Sequence, residues 1–251
     1  MRLTFEDGTF IQTNQGIDCS IPLTNSPSNP TAWYVSSPEI EPVRANGWVG
    51  SVAEGGSVNF RNISFNPHGH GTHTECLGHI TETVYSINGI LKKPFYKTLV
   101  VSVSPESITH LDGQQDEVIS LASLNLKQID STIEALLIRT LPNQISKKQR
   151  HYSDSNPAYC DVDLIPLINQ SNILHLLIDT PSVDREKDGG ELAFHHAFWG
   201  VPDTPRFDRT ITELVYAPIE LEDGVYMMNL QTAPFENDAT PSRPVLFQLH
   251  M

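Results

Sequence analysis

Residues 66–79 read Asn-Pro-His-Gly-His-Gly-Thr-His-Thr-Glu-Cys-Leu-Gly-His. This stretch holds four of the chain's ten histidines and one glutamate. A metal site needs imidazoles and carboxylates packed this closely, because each ligand must reach one ion at about 2.0–2.2 Å. A polar loop with scattered histidines is the alternative, but four histidines around a glutamate favour a metal centre.

The second part of the stretch has the pattern of an extended strand. From Thr72 onward, strand alternation would place His73, Glu75 and His79 on one face. Two glycines just upstream, at positions 69 and 71, permit a tight bend. We therefore expect a histidine that precedes the strand to reach the same ion as the strand residues.

The composition limits the class of protein. The 251 residues fit one α/β or β-rich domain, so we expect a single domain over residues 1–251. With 39% hydrophobic and 18% charged residues, the chain is globular in type rather than disordered. A formal net charge of −14 repels phosphate backbones and anionic lipids, so we expect neither nucleic-acid nor membrane partners.

The cysteines and the first residues indicate a compartment. Cys19, Cys76 and Cys160 are odd in number and far apart, which argues against a disulfide framework and against a thiolate zinc knuckle. The N-terminal sequence lacks the apolar core of a signal peptide, and no run of residues approaches the length of a membrane span. We expect a cytoplasmic protein.

A complete metal site needs ligands from elsewhere in the chain. His195, followed by His196, is the best histidine candidate, and Glu213 is the best carboxylate candidate. Glu213 lies in an apolar strand pattern, where a lone carboxylate is costly without a partner. An edge-strand position facing solvent explains Glu213 equally well. His175, within the apolar run 173–179, is expected to be a hydrogen-bonded core histidine.

The remaining pattern predicts an alternation of strands and helices. Strands are expected over residues 99–103, 132–140, 173–179, 210–217 and 244–249, a helix over 191–199, and a turn over 116–119. Residues 25–42 contain four prolines and are expected to form a long surface loop. The sequence has no phosphate-binding glycine loop, no nucleophile elbow and no His-Glu-x-x-His motif.

These segments together resemble the cyclase-like metal-dependent hydrolase family, which includes the bacterial kynurenine formamidases and isatin hydrolase. Its motif His-x-Gly-Thr-His-x-Asp-x-Pro-x-His is matched at residues 71–73 and at His79, with Glu75 in place of Asp and Leu77 in place of Pro. Further matches follow in order at residues 18–23, 135–140, 178–184, 195–197 and 211–214. The resemblance covers most of the chain.

The first histidine of the family motif falls on Gly69 in this chain. His68 and His70 flank that position, and one of them is expected to substitute for the missing ligand. His68 is preferred because it follows Pro67, as the family's first histidine often follows a proline, while His70 remains possible. Glu75 is one methylene longer than the family's Asp, which affects metal preference or bridging geometry.

The resemblance implies an α/β chain with a swivelling β/β/α fold and one or two divalent ions, Zn²⁺ or Mn²⁺. His68 (or His70), His73 and Glu75 would hold the ion, and His195 and Glu213 would complete the site or hold a second ion. His79 would act as the general acid/base, since the unperturbed imidazole pKa lies near neutrality.

Three functions fit this resemblance. The first is arylformamidase activity on an N-formylkynurenine-type amide, and the second is the opening of a lactam or other cyclic amide, as in isatin hydrolase. The third is metal binding without catalysis. An aryl substrate would contact Trp33, Trp48 and Phe198. Burial in a subunit interface and simple packing onto the domain are the alternatives for the two tryptophans. Family members commonly form dimers or tetramers, so a homodimer or homotetramer is expected.

Overall fold

Short strands make up most of the regular structure in the computed structural model, which describes residues 1–111 and 113–251. In chain order the strands are β1 (Arg2–Thr4), β2 (Phe10–Gln12), β3 (Ile17–Asp18), β4 (Glu39–Pro42), β5 (Arg44–Ala45), β6 (Trp48–Val49), β7 (Arg61–Ser64), β8 (His73–Glu75), β9 (Phe95–Val103), β10 (Glu106–Thr109), β11 (Gln115–Ile119), β12 (Ala135–Thr140), β13 (Tyr159–Cys160), β14 (His175–Ile178), β15 (Thr210–Glu213), β16 (Gly224–Asn229), β17 (Ala239–Pro241) and β18 (Val245–Gln248). The α-helices are α1 (Pro67–His70), α2 (Leu121–Leu124), α3 (Ile165–Gln170) and α4 (Ala193–Trp199). Within the two described ranges, no helix has the length and hydropathy needed to cross a bilayer.

A nine-stranded mixed sheet forms the centre of the fold. Its strand order is β17-β8-β15-β14-β12-β9-β16-β18-β3. The four strands β15, β14, β12 and β9 run parallel to one another, and antiparallel strands flank them on both sides. The edge formed by β17, β8 and β15 carries the motif residues, so this part of the sheet positions the candidate site.

The two faces of the sheet are covered by separate hydrophobic clusters. Every residue of β12 and β14 is buried, as expected for central parallel strands. Leu136 and Ile138 pack in one cluster with residues of α3 and α4, while Leu137 belongs to the other cluster together with Met228. The side-chain alternation of β12 therefore joins the two layers of the core.

The predicted α/β architecture is confirmed. The strands expected over 132–140, 173–179, 210–217 and 244–249 are present as the shorter elements β12, β14, β15 and β18, and the helix expected over 191–199 is α4. The turn expected over 116–119 is wrong, because β11 occupies these residues. It is held by antiparallel pairing with β10 and parallel pairing with β13, which are contacts that a local pattern does not reveal.

The long strand expected from Thr72 to His79 is also wrong. Strand β8 ends at Glu75, and Leu77–His79 form a 3-10 turn. The turn brings the backbone close to Tyr85, where only glycine fits, since a Cβ at Gly78 would lie 2.3 Å from the Tyr85 carbonyl oxygen. His79 therefore approaches the site from a turn and not from the face of a strand.

His175 is the hydrogen-bonded core histidine that the sequence predicted. It is buried at the start of β14, its Nδ1 lies 2.8 Å from Thr210 Oγ1, and its ring meets Tyr96 edge-on. Burial lowers the pKa of His175 from 6.5 to about 3. The imidazole thus stays neutral in the folded chain under conditions in which the unfolded chain protonates it.

This buried imidazole predicts a specific acid sensitivity. Because the folded pKa lies below the unfolded pKa, stability is lost as pH falls from 6.5 towards 3. At about 1.4 kcal/mol per pKa unit, His175 should remove about 2 kcal/mol of unfolding free energy between pH 7 and pH 5. Urea unfolding of His175→Gln in the presence of chelator should show a correspondingly flatter pH dependence. His151→Gln, at an exposed position, controls for the loss of one histidine, and equal slopes in wild type and His175→Gln would refute the prediction.

Candidate metal centre

Strands β8 and β15 bring three ligand side chains together. Their antiparallel register pairs Glu213 with His73, and Glu75 lies two residues further along the same face of β8. All three side chains are buried. His73 Nε2 lies 3.4 Å from Glu213 Oε2 and 3.9 Å from Glu75 Oε2. Two buried carboxylates this close together are costly unless a positive charge accompanies them.

His68 reaches the same carboxylate from the short helix α1. Its backbone N–H donates to the Asn66 side chain, which caps the helix. Its ring lies between two acids, with Nδ1 2.9 Å from Glu75 Oε2 and Nε2 2.9 Å from Asp238 Oδ2. The structure thus places the His68 ring beside Glu75. In the family motif the corresponding histidine stands one residue later in the sequence, at position 69.

His70 has a different role. Its Nδ1 accepts the backbone N–H of Asn66 at 2.8 Å, and its Nε2 donates to the Ser36 carbonyl at 2.6 Å. Both ring nitrogens are therefore occupied by main-chain groups that shape the turn around α1. This arrangement supports His68, and not His70, as the ligand that replaces the missing histidine at position 69.

The two histidines should respond differently to substitution. His68→Ala should weaken metal binding strongly, whereas His70→Gln should leave metal affinity unchanged and lower the unfolding free energy by about 1–3 kcal/mol, since buried main-chain groups lose a partner. Competition with a chromophoric chelator gives the affinities, and urea unfolding gives the stability. Loss of metal in His70→Gln with retention in His68→Ala would reverse the assignment.

Helix α4 adds the imidazole of His195 to the group formed by His68, His73, Glu75 and Glu213. Its Nε2 lies 3.0 Å from Glu75 Oε1, and its Nδ1 lies 2.6 Å from Asp184 Oδ2. Asp184 also accepts the backbone N–H groups of Phe194 and His195, which fixes the carboxylate at the start of the helix. A carboxylate on the outer nitrogen of an imidazole is the usual support of a metal-ligating histidine. The neighbouring His196 contacts the Val201 carbonyl instead.

His79 lies at the open side of the group. Its ring stacks on that of His68 with centroids 4.2 Å apart, and its Nδ1 is 3.4 Å from Asp238 Oδ2. Its side chain is 31% exposed, unlike the buried imidazoles of His73 and His195. A partly exposed imidazole beside a buried ligand group is suited to exchange protons with a bound molecule.

The ligand atoms of this cluster fit a metal ion. Two groups bring their nearest ligand atoms within 4.8 Å of one another: His68, Glu75 and His79 in one, and His73, Glu75 and Glu213 in the other. Buried His73 Nε2 faces Glu75 and Glu213 and has no hydrogen-bond partner among residues 1–111 and 113–251. Imidazole and carboxylate together suit Zn²⁺ and Mn²⁺. Because both groups share Glu75, the arrangement can hold one ion or two.

The carboxylates control the protonation of the imidazoles. Burial lowers the pKa of His195, but hydrogen bonds to Asp184 and Glu75 raise it to about 10. Burial likewise lowers the pKa of His68, whereas Asp238 and Glu75 raise it to about 10. Burial raises the pKa of Glu75, but the surrounding imidazoles hold it well below its usual range. Since only neutral imidazole ligates, metal binding must release these protons and should weaken as pH falls.

A cavity of about 310 Å³ opens onto the cluster. Its lining includes His68, His79, His195 and Glu213, with Trp33 on the wall. This volume matches a small organic molecule. The cavity therefore connects the ligand group to a space in which a substrate can bind.

The three aromatic side chains expected to contact substrate have different positions. Trp33 lines the cavity. Trp48 lies in β6, is 40% exposed and packs beside Phe60, away from the cavity lining. Phe198 is fully buried between Phe194 and Trp199 in the core and has no surface to offer a substrate, which corrects the expectation for this residue.

Sequence reasoning missed two acids of the site. Asp184 was recognised only as part of a matching string, and Asp238 carried no signal at all. Asp184 lies eleven residues before His195, a spacing that matches no local sequence pattern, and the fold brings its carboxylate to the Phe194 and His195 N–H groups. Asp238 is remote in sequence from the histidines, and only the pairing of β17 with β8 brings it to them.

The fold and the buried His/Glu cluster define a candidate metalloprotein with an accessible pocket. A family model described as "Putative cyclase" matches residues 17–185, and the chain belongs to this Cyclase family. The resemblance found in the sequence is thereby confirmed. The match ends before His195, Glu213 and Asp238, so these residues are placed at the site by the structure. No curated protein matches the sequence significantly.

Several solved structures share the fold. A structure described as a potential metal-dependent hydrolase with cyclase activity has a TM-score of 0.61 and 16% identity, covering 93% of this chain and 97% of its own. An isatin hydrolase bound to thioisatinate, a product analogue, has a TM-score of 0.65 and 11% identity, with 93% and 92% covered. Isatin hydrolase A from Labrenzia aggregata, bound to benzyl benzoate, has a TM-score of 0.63 and 14% identity, with 93% of each chain covered. At these identities the similarity establishes the family's swivelling β/β/α fold.

Proposed function

We propose that this protein is a metal-dependent hydrolase that cleaves the C–N bond of a small amide. The observation that carries the proposal is a buried imidazole nitrogen, His73 Nε2, that faces the carboxylates of Glu75 and Glu213 without a hydrogen-bond partner in the described chain, beside a cavity of about 310 Å³. Buried polar atoms are normally satisfied, and such exceptions indicate an ion or a reacting group.

The ligands of the proposed metal site come from four parts of the chain. They are His68 from α1, His73 and Glu75 from β8, His195 from α4 and Glu213 from β15. They would hold one or two divalent ions, Zn²⁺ or Mn²⁺. When bound, such an ion activates water near neutral pH and polarises a carbonyl oxygen.

The protein's own groups orient the ligands and move the protons. Asp184 fixes the His195 ring, and the Val183 backbone N–H donates to Glu213 Oε1 at 3.0 Å, which orients that carboxylate. In the proposed reaction the oxygen of water adds to the amide carbonyl carbon and the C–N bond breaks. His79 would take a proton from the attacking water and return one to the leaving nitrogen, so the products are a carboxylic acid and an amine.

The favoured substrate is an aryl formamide of the N-formylkynurenine type. Trp33 on the cavity wall offers a flat apolar surface against which an aromatic ring can pack. Opening of a cyclic amide is the second candidate, because it needs the same water attack. The structural similarity to isatin hydrolases favours that candidate specifically.

Hydrolysis by chelator-stripped protein, reloaded separately with Zn²⁺ and Mn²⁺, tests the proposal. N-formylkynurenine and isatin are offered in parallel, with a chelated sample as the control. Chelator-sensitive turnover of one of them supports hydrolase function and identifies the substrate class. Stoichiometric metal binding without turnover of a panel of amides and lactones would favour a metal-binding protein without catalysis.

A further inference from the structure

We propose that Asp238 is a positioning residue that holds two imidazoles at once, His68 for metal binding and His79 for proton transfer. The assignment of these two tasks rests on the proposed function, but the assignment of the contacts does not. Asp238 lies outside the matched family segment and outside the motifs quoted from the sequence, so its assignment rests on the contacts that the structure shows.

The geometry places one carboxylate oxygen between the two rings. Asp238 Oδ2 lies 2.9 Å from His68 Nε2 and 3.4 Å from His79 Nδ1, and the two rings stack with centroids 4.2 Å apart. The Asp238 side chain is only 13% exposed, so water competes little for its oxygen. A carboxylate in this position fixes the orientation of both rings relative to each other.

The backbone of Asp238 is itself held in register with the metal-binding strand. Strand β17 pairs with β8 so that Ala239 lies opposite Glu75, and the Asp238 carbonyl accepts the Cys76 N–H at 3.1 Å. One residue earlier, the Asn237 carbonyl accepts the Ile87 N–H at 2.9 Å. The backbone of Asp238 is therefore held by main-chain hydrogen bonds, which fix the position of its carboxylate relative to Glu75.

The substitution at motif position 69 explains why His68 needs this support. A Cβ on Gly69 would lie 2.7 Å from Val35 Cγ2 and 3.2 Å from the Ala32 carbonyl oxygen, so a histidine at the family's position would require the Val35 side chain to shift. His68 replaces it from a helix of only four residues. With Asp238 on Nε2, the ring turns Nδ1 towards Glu75, whereas an unsupported ring would be free to rotate.

Asp238 acts on the far side of the His68 ring. Its contact is with Nε2, whereas Nδ1 faces Glu75 Oε2, so the carboxylate occupies the outer position that supporting acids take on metal-bound histidines. Removing such a support typically costs 10–100-fold in metal affinity or activity. Asp184 makes the equivalent contact with His195 Nδ1, and the site thus has one supporting acid on each side of Glu75.

Three variants test this role: Asp238→Ala, Asp238→Asn and the control Glu236→Gln. Glu236 lies on the same segment but contacts Asn88 instead of an imidazole. Zn²⁺ affinity is measured by competition with a chromophoric chelator, together with bound stoichiometry, and kcat and KM are measured at saturating metal. Asp238→Ala should bind the same number of ions about 10–100-fold more weakly, and kcat should remain lowered at saturating metal with KM little changed.

The conservative variant separates positioning from a general structural effect. Asp238→Asn keeps an oxygen that can accept the His68 Nε2–H, so it should recover much of the affinity, and Glu236→Gln should behave as wild type. Wild-type affinity in Asp238→Ala, or loss of a bound ion in both Asp238 variants, would overturn the proposal. The affinity measurement needs no substrate, so failure of the amide assignment would leave this test of Asp238 intact.

Discussion

Glu75→Gln is expected to abolish functional metal binding. Glu75 belongs to both candidate ligand groups, its Oε1 contacts His195 and its Oε2 faces His68. Glutamine has the same size but no charge, and its amide group offers one oxygen where the carboxylate offers two. Metal affinity should therefore fall by more than the 10–100-fold that loss of a supporting residue causes.

The loss of turnover in Glu75→Gln should be equally large. A catalytic metal contributes several kcal/mol of transition-state stabilisation, and each step of about 1.4 kcal/mol changes the rate tenfold. We expect kcat/KM to fall about 10³-fold or more. Glu75→Asp is the matched comparison, because it keeps the charge, restores the family's residue and shortens the side chain by one methylene. It should bind metal more tightly than Glu75→Gln, and full metal binding by Glu75→Gln would contradict the shared-ligand role.

His79→Ala is expected to keep the metal and lose turnover. His79 is the only imidazole of the described cluster with a side chain as much as 31% exposed, and it lines the cavity. General acid/base groups contribute typically 10²–10⁴-fold, so kcat should fall within that range. Metal content measured after gel filtration should equal that of wild type, and added imidazole should restore part of the rate.

The control for this variant is a histidine outside the site. His196→Ala removes an imidazole whose Nδ1 lies 3.2 Å from the Val201 carbonyl oxygen, so turnover should change much less. His79 also belongs to one of the two candidate ligand groups. If His79→Ala binds fewer ions than wild type, His79 is a ligand and another group must carry the protons.

The core strands were predictable because their signal is local. Strand β12 is apolar at four of its six positions and buried at all of them, and β14 is apolar at three of its four positions and fully buried. A run of apolar residues indicates a buried strand even when the neighbouring strands are unknown. Strand β11 was missed for the opposite reason, since only its neighbours β10 and β13 make it a strand.

The candidate site was predictable where a motif carries it. His73 and Glu75 are quoted in the motif, and Glu213 joins them because the antiparallel pairing of β8 with β15 sets Glu213 opposite His73. The choice between His68 and His70 needed atomic contacts, since both flank the missing position 69 and only the bonds to Asn66 and Ser36 occupy the His70 ring.

The two supporting acids, Asp184 and Asp238, could not be predicted from the sequence. A carboxylate has no local pattern that identifies its partner, and Asp238 meets His68 across 170 residues of chain. Its position depends on the register of β17 against β8 and on the turn that ends β8 at Glu75. A sequence pattern can therefore indicate the ligands of this site, whereas the groups that orient them require the fold.

The central claim is that the buried His/Glu cluster is a metal site, and equilibrium metal binding tests it most directly. Chelator-stripped wild-type protein and Glu75→Gln are titrated with Zn²⁺ and with Mn²⁺ while bound metal is counted. We predict one or two equivalents bound to wild type, with binding that weakens as pH falls, and little or none bound to Glu75→Gln. Wild-type protein that binds neither ion, or a Glu75→Gln variant that binds both as wild type does, would contradict the assignment.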